Sequence, residues 1–483
     1  MYRETDSPSL LGVLHFFEEI SKIPRRSFIT APIADYLCDF AKARGLFFHR
    51  DEADNVIIKK GASADCEETA PVILQAHTDM VFVKSDPDAD MDENRGVSLL
   101  REGDTLRAVG TSLGGDDGVG MAYILAILDD DKMTHPPIEA VFTSNEEVGL
   151  LGAAALDASA LKGRMLINLD SDEEGILTAG CAGGSTATLS IPLKRSAEKE
   201  CFLLTLSNLP GGHSGADAHK GIANAILLLL SLLEKIAEDA PLMLAEICGG
   251  EADNAIPAFA SARFSCKASK ERIEEIAKHF LASQKENIGD ATYIVEADGV
   301  YASADAEESE RILRGILALP RGILAMDANL PSLPETSLNL GRIKTEGGRL
   351  TLGYSLRSSV DAKCRALEKE LSEKAKALLG EAEFDGAYPA WEYTKDSHLR
   401  EACLSVFREQ YNKDATVCVI HAGLECGILA KKLTGLDCIS FGPDNRCIHT
   451  AQEALSLSST ARVYDYLRGV LSALAKKEPA STK

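Results

Sequence analysis

Three short apolar runs in the first third of the chain each stop on acids or a histidine, and no other feature constrains the fold as strongly. Pro71-Val-Ile-Leu-Gln-Ala leads into His77-Thr78-Asp79, Ala140-Val-Phe-Thr-Ser into Asn145-Glu146-Glu147, and Met165-Leu-Ile-Asn-Leu into Asp170. Runs this short with little polar alternation suit strands covered on both faces, as in a parallel sheet. Helical patterns lie between them: 10–20 is amphipathic, and 118–129 (GVGMAYILAILD) follows a glycine turn. Alternation of this kind predicts an α/β domain with a mostly parallel sheet flanked by helices.

The chain is 483 residues long and 45% hydrophobic, more than one core accommodates, since single cores stop growing near ~250–300 residues. The glycines of 180–185 (GCAGGS) mark a break, after which strand-like 201–206, helical 222–237 and strand-like 260–266 follow in order. A related order recurs, with strand-like 292–296, helical 306–318, strand-like 350–356 and helical 362–379. The first pattern then returns: helix 397–411, strand 416–420, the HAGLECG turn, strand 438–442 and a last helix 456–476. The expected division is a discontinuous catalytic domain over 1–188 and 395–483, interrupted by an α+β lid over 189–394 that reads as two related halves. An inserted lid would place a ligand site in the cleft between lid and sheet.

Charge narrows the partners. Lys and Arg total 51 against 74 Asp and Glu, a formal charge of −23, so the surface as a whole repels phosphate backbones and anionic membranes. The 12 cysteines, Cys38, Cys181, Cys266 and Cys426 among them, are scattered without a C-x-x-C pair and read as reduced thiols. The N-terminal stretch 1–24 is acidic and lacks a secretory leader's basic start. No run approaches the ~18 apolar residues of a membrane span, the nearest being 225–233. A soluble, cytosolic enzyme is the expectation, with neither nucleic acid nor membrane as partner.

Each apolar run delivers its polar cluster to the carboxyl end of a strand, where open α/β sheets bind ligands. A carboxylate two residues from a metal-binding imidazole can orient the ring, which suits His77 and Asp79, although such a histidine is also commonly structural. The turn Leu113-Gly-Gly-Asp116-Asp117-Gly118-Val-Gly120 fails the dinucleotide fingerprint, because Tyr123 stands at the third glycine position and two acids would face the pyrophosphate. An aspartate there can bridge two cations, or cap the helix that follows. In Glu146-Glu147 one carboxylate can hold metal while its neighbour reaches a polarised water. Asp170 and, near the C-terminus, His449 of 441–449 complete a set of imidazoles and carboxylates suited to paired zinc.

The segments QAHTDM, LGGDDGVGMA, TSNEEVGLLGA, NLDSDE, GGHSGADAHKGIANA, DNAIP, SLRSSVD, YPAWE and HAGLECG together resemble the aminoacyl-histidine dipeptidases, within the aminoacylase-type di-zinc exopeptidases. The resemblance spans nearly the whole chain. It implies hydrolysis of dipeptides, of the Xaa-His type such as β-Ala-His and others besides, with two divalent cations, zinc first and manganese or cobalt as alternatives. By it, His77, Asp116, Glu147, Asp170 and His449 are the metal ligands and Asp116 bridges both ions, with a cis peptide bond after it. Asp79 positions His77, and Glu146 is the base that takes a proton from the attacking water and passes it to the leaving amine. In the lid, His213 donates to the oxyanion, with His219 a competing candidate, while Asn254, Arg357 and the backbone at Gly423 hold the substrate carboxylate. A homodimer through the lid is expected.

The sequence departs from that family's usual pattern in three places: GGDDG stands for GADNG, IPRRS for IPHPS, and CIHTAQE for PHSPDE. No ligand is lost, but Arg25 and Arg26 would bring charge near the cleft and bear on substrate preference. The alternatives are hydrolysis of another small amide, such as an N-acyl amino acid, and an inactive relative that only binds peptides. A nucleotide-dependent dehydrogenase is disfavoured by the glycine spacing.

Overall fold

Two compact units make up the chain in the computed structural model, which describes residues 3, 6–86, 92, 94–284, 288–327 and 333–476. Met1, Tyr2, Glu4 and Thr5 of the acidic N-terminal stretch lie outside the described residues. The first unit is Met1–Cys181, Tyr393–Val419 and Leu424–Lys483; the second is Ala182–Glu392 with Ile420–Gly423. The division falls after Cys181 rather than at 188/189, and after Glu392 rather than at 394/395.

The first unit is built on an eight-stranded mixed sheet. Its centre is parallel: Val72–His77 lies between Ile138–Thr143 and Met165–Asn168, and Asp437–Ser440 pairs with the far side of the last. The edge pairings Phe47–Arg50 with Val56–Lys60, and Val56–Lys60 with Ile138–Thr143, are antiparallel. Every residue of Val72–His77 and Ile138–Thr143 is buried, as a strand covered on both faces requires. The covering helices include Pro8–Ser21, capped by Ser7, and Leu457–Leu474, capped by Ser456. Between Gly118 and Leu128 the helix Gly115–Asp129 is buried on all sides, so its sequence is apolar all round rather than striped.

The second unit carries a nine-stranded sheet whose strand pairings among the described residues are antiparallel, with its own apolar core. Its helices are Ala225–Asp239, Lys270–Ser283, Ala306–Leu317 and Asp361–Ala377. The run 225–233 belongs to the first of these, capped by Asn224, with Leu229, Leu230, Leu232 and Leu233 fully buried in that core. Among the described residues no helix is long and apolar enough to cross a membrane. All twelve cysteines are free thiols.

The glycines of 180–185 do not form a loop. Gly183 and Gly184 begin the strand Gly183–Pro192, where a Cβ on Gly184 would stand 2.4 Å from the Leu356 carbonyl oxygen. They mark a close backbone approach inside a sheet, which in a sequence reads like a turn. Replacing Gly184 by alanine is expected to destabilise the second unit by roughly 1–3 kcal/mol. The single tryptophan, Trp391, is buried in that unit, so its fluorescence during urea unfolding measures the effect.

Candidate metal centre and surrounding residues

In the parallel centre of the first unit, His77 is level with Thr143 and Ser440 with Asn168. The residues that follow these strand ends therefore emerge on one rim of the sheet. His77 is 1% exposed, and its Nδ1 lies 3.1 Å from the Asp79 carbonyl oxygen and 3.6 Å from Asp79 Oδ1. With Nδ1–H donating to Asp79, Nε2 is the lone-pair face of the ring. That Nε2 is 2.9 Å from Asp116 Oδ1 and 3.8 Å from Asp170 Oδ1. His449 approaches from the other side, its Nε2 3.1 Å from Asp116 Oδ2 and 3.0 Å from Glu147 Oε2.

Asp116 thus presents one oxygen to each imidazole. Three overlapping groups of donors lie close enough to hold a cation: His77, Asp116 and Asp170; Asp116, Glu147 and His449; and His77, Glu146 and Glu147. All five residues expected to be ligands converge with Glu146 in the first unit. Imidazole nitrogens and carboxylate oxygens are donors zinc accepts, and the shared aspartate suits a pair of ions. The Asp116–Asp117 peptide bond is cis.

The electrostatics point the same way. Burial first, then the charge of Asp116, pushes the Asp170 carboxyl well above the usual carboxylate range. Burial likewise raises Glu146, with Glu425 and Glu147 adding to it against the pull of His77. Hydrogen bonds to Asp116 and Glu147 lift the His449 imidazole to about 10. For His77, burial opposes the charged form, but hydrogen bonds to Asp116 and Asp79 outweigh it and the group is raised. Crowded carboxylates that cannot all ionise comfortably are a setting that cations relieve.

Asp79 does more than orient His77. Its Oδ1 accepts the Glu146 N–H at 2.9 Å and its Oδ2 the Glu147 N–H at 3.3 Å, with Ser27 Oγ donating to Oδ2 at 2.8 Å. One carboxylate therefore registers the His77 turn against the Glu146-Glu147 turn. Beneath the rim, Asn168 Nδ2 donates to Gln75 Oε1 at 2.6 Å, Gln75 donates to Glu425, and Thr143 Oγ1 donates to Glu425 Oε2 at 2.6 Å. Asp117 closes the helix start, accepting from His77 N and from Gly120 N, both at 3.2 Å.

Arg25 is not near-cleft charge available to a substrate. It is 3% exposed and donates to the carbonyls of Thr78, Asp79 and Gly114. The glycine-rich turn is no phosphate loop either, because the N–H groups of Leu113, Gly114, Gly115 and Asp116 all donate to Glu453.

The second unit gathers most of the other residues singled out in the sequence. His213 pairs with Ala255 across a two-stranded ribbon, and the next residue, Ser214, donates its N–H to the Asn254 carbonyl at 2.8 Å. His213 Nδ1 accepts the N–H groups of Gly215 and Ala216 at 3.2 and 2.9 Å, so the neutral ring carries its proton on Nε2. Arg357 is buried and donates from Nη1 to the Tyr388 hydroxyl at 3.1 Å; a Cβ on Gly423 would lie 2.7 Å from the same tyrosine ring. His219 is exposed on the short turn Ala218–Lys220. His421 was not singled out in the sequence, yet it is buried, its Nε2 is 2.6 Å from Ser337 Oγ, and burial together with the Arg357 charge lowers it to about 4. Its place in the glycine-containing turn HAGLECG was the one available signal.

The model of peptidase family M20/M25/M40 matches residues 73–473. The chain belongs to this family. It is therefore a hydrolase of the peptidase class, and the resemblance read from its motifs is borne out. The cytosol non-specific dipeptidase of Escherichia coli (strain K12) is 33% identical over 472 residues, 95% of this chain and 97% of that protein. The aminoacylhistidine dipeptidase of Vibrio alginolyticus superposes with a TM-score of 0.86 at 33% identity, covering 98% of each chain. Aminopeptidase PepT from Bacillus cereus shares the fold at 17% identity, with a TM-score of 0.60 over 97% of this chain and 99% of that one.

Proposed function

We propose that this chain is a metal-dependent dipeptidase acting on free dipeptides, those ending in histidine among them, with zinc as the preferred ion. The observation that carries the reading is Asp116, whose two oxygens face His77 and His449 separately. The names of the two relatives at 33% identity supply the substrate class. His77, Asp116 and Asp170 would hold one ion and Asp116, Glu147 and His449 the other. Bound there, the cations would polarise the scissile carbonyl and lower the pKa of a water from about 15.7 towards about 7.

The chain's own groups do the rest. Glu146, made more basic by burial, accepts the proton of the attacking water and delivers it to the leaving amine nitrogen. Asp79 fixes both the His77 ring and the backbone that carries Glu146. His213 donates from Nε2 to the oxyanion of the tetrahedral intermediate, a role its Nδ1 contacts support, with His219 the competing candidate. Arg357, Asn254 and the backbone at Gly423 receive the substrate carboxylate. In this reading the first unit is the catalytic domain, and the second is a lid through which two copies associate in the cytosol.

Hydrolysis of β-Ala-His, Gly-His and Leu-Gly by metal-stripped protein, with and without added zinc or manganese, tests the reading. Metal-dependent cleavage of free dipeptides, and weaker action on their N-acetylated forms, is the expected result. Preference for the acetylated compounds would transfer the site to N-acyl amino acids.

A further inference from the structure

Two buried side chains of opposite charge grip the turn 113–116 from either side. Glu453 accepts the N–H groups of Leu113 and Gly114 on Oε2, each at 2.8 Å, and those of Gly115 and Asp116 on Oε1, at 2.8 and 3.2 Å. Asn445 Nδ2 adds a fifth donor at 3.0 Å. From the other side Arg25 donates to the Gly114 carbonyl, and its Nη1 reaches the carbonyls of Thr78 and Asp79 at 3.2 and 3.1 Å. One guanidinium therefore joins the backbone just after His77 to the backbone just before Asp116.

The glycines have been cleared for this arrangement. Gly114 has φ +69°, which disfavours other residues, and a Cβ there would stand 2.5 Å from Arg25 Nη2. A Cβ on Gly118 would meet the same nitrogen at 2.5 Å. Glu453 is itself 3% exposed, so water cannot substitute for either partner.

We propose that Arg25 and Glu453 are positioning residues that set the spacing of His77 and Asp116 for cation binding, an inference that rests on the reading of Asp116 as the shared ligand. A carboxylate is acceptor-only and can serve four N–H groups through two oxygens. A glutamine at 453 offers one acceptor oxygen and turns an NH2 group against two backbone donors. The turn must then shift, and Asp116 shifts with it. Arg25 acts through geometry as much as charge. Its Nη1 serves Thr78 and Asp79 while its Nη2 serves Gly114, whereas a lysine ammonium keeps the charge but gathers its donors on a single nitrogen and loses the planar fork that holds the two turns apart.

Cobalt(II) titration of the metal-stripped full chain, followed by its visible absorption and by competition with a chelator, tests the proposal. Glu453→Gln and Arg25→Lys are expected to weaken cobalt binding by roughly 10–100-fold and to change the absorption band, with circular dichroism showing the fold retained. Glu453→Asp, which keeps two acceptor oxygens, should recover part of the affinity and the band shape, and it reads the same quantity if Glu453→Gln does not fold. Folded variants with wild-type affinity and spectrum would overturn the proposal. Wild-type chain that takes up no cobalt would instead sink the reading of the site, and that outcome is seen before any variant is made.

Discussion

Replacing Glu146 by glutamine is expected to lower kcat on free dipeptides by about 10²–10⁴-fold while leaving bound metal and KM nearly unchanged. The substitution keeps the shape and removes only the ability to accept a proton. The backbone of Glu146 is anchored independently of its carboxylate, since its N–H donates to Asp79 Oδ1 at 2.9 Å. The turn should therefore survive the change, and Glu147 should keep its place beside His449. Steady-state kinetics alongside metal analysis by mass spectrometry reads both quantities. Full activity in this variant would remove Glu146 from the mechanism; loss of metal together with activity would make it a ligand rather than a base.

Replacing Asp116 by asparagine is the other large effect. Each Asp116 oxygen faces a different imidazole, and the amide leaves an acceptor for only one of them. Bound metal is expected to fall from two ions per chain to one or fewer. kcat/KM should drop on the order of 10³-fold, about 4 kcal/mol of transition-state stabilisation. Metal counted after gel filtration in metal-free buffer checks the first figure and dipeptide hydrolysis the second. An asparagine variant that retains two tightly held ions would end the assignment of Asp116 as the shared ligand.

Much of the first unit is legible in the order of its residues. Val72–His77, Ile138–Thr143 and Met165–Asn168 announce themselves because strands covered on both faces must be apolar without interruption. The residues that interrupt them fall at the strand ends, where His77, the Glu146-Glu147 pair and Asp170 stand out; the choice of Glu147 over Glu146 as the ligand rests on the family resemblance. The regular helix begins at Gly118, as the sequence pattern over 118–129 predicts, because the backbone at Asp116 and Asp117 is not helical although both lie within Gly115–Asp129. Strands in the second unit were less visible. Thr292–Ser303 is the edge strand of its sheet and exposes Ile294 and Val300, so its burial pattern carries little periodic signal.

The sequence by itself determined the family, the parallel centre of the first sheet, and which imidazoles and carboxylates stand at its strand ends. Apolar periodicity and strand-end position are local properties, readable within a few residues. Only the tertiary structure decided that Arg25 is a buried brace rather than a surface charge, that Asp79 ties two turns together, and that Glu453 closes a turn 337 residues away from it. Those choices follow from the need of every buried N–H, carbonyl and charge to find a partner, and the partner is fixed by where the chain returns in space.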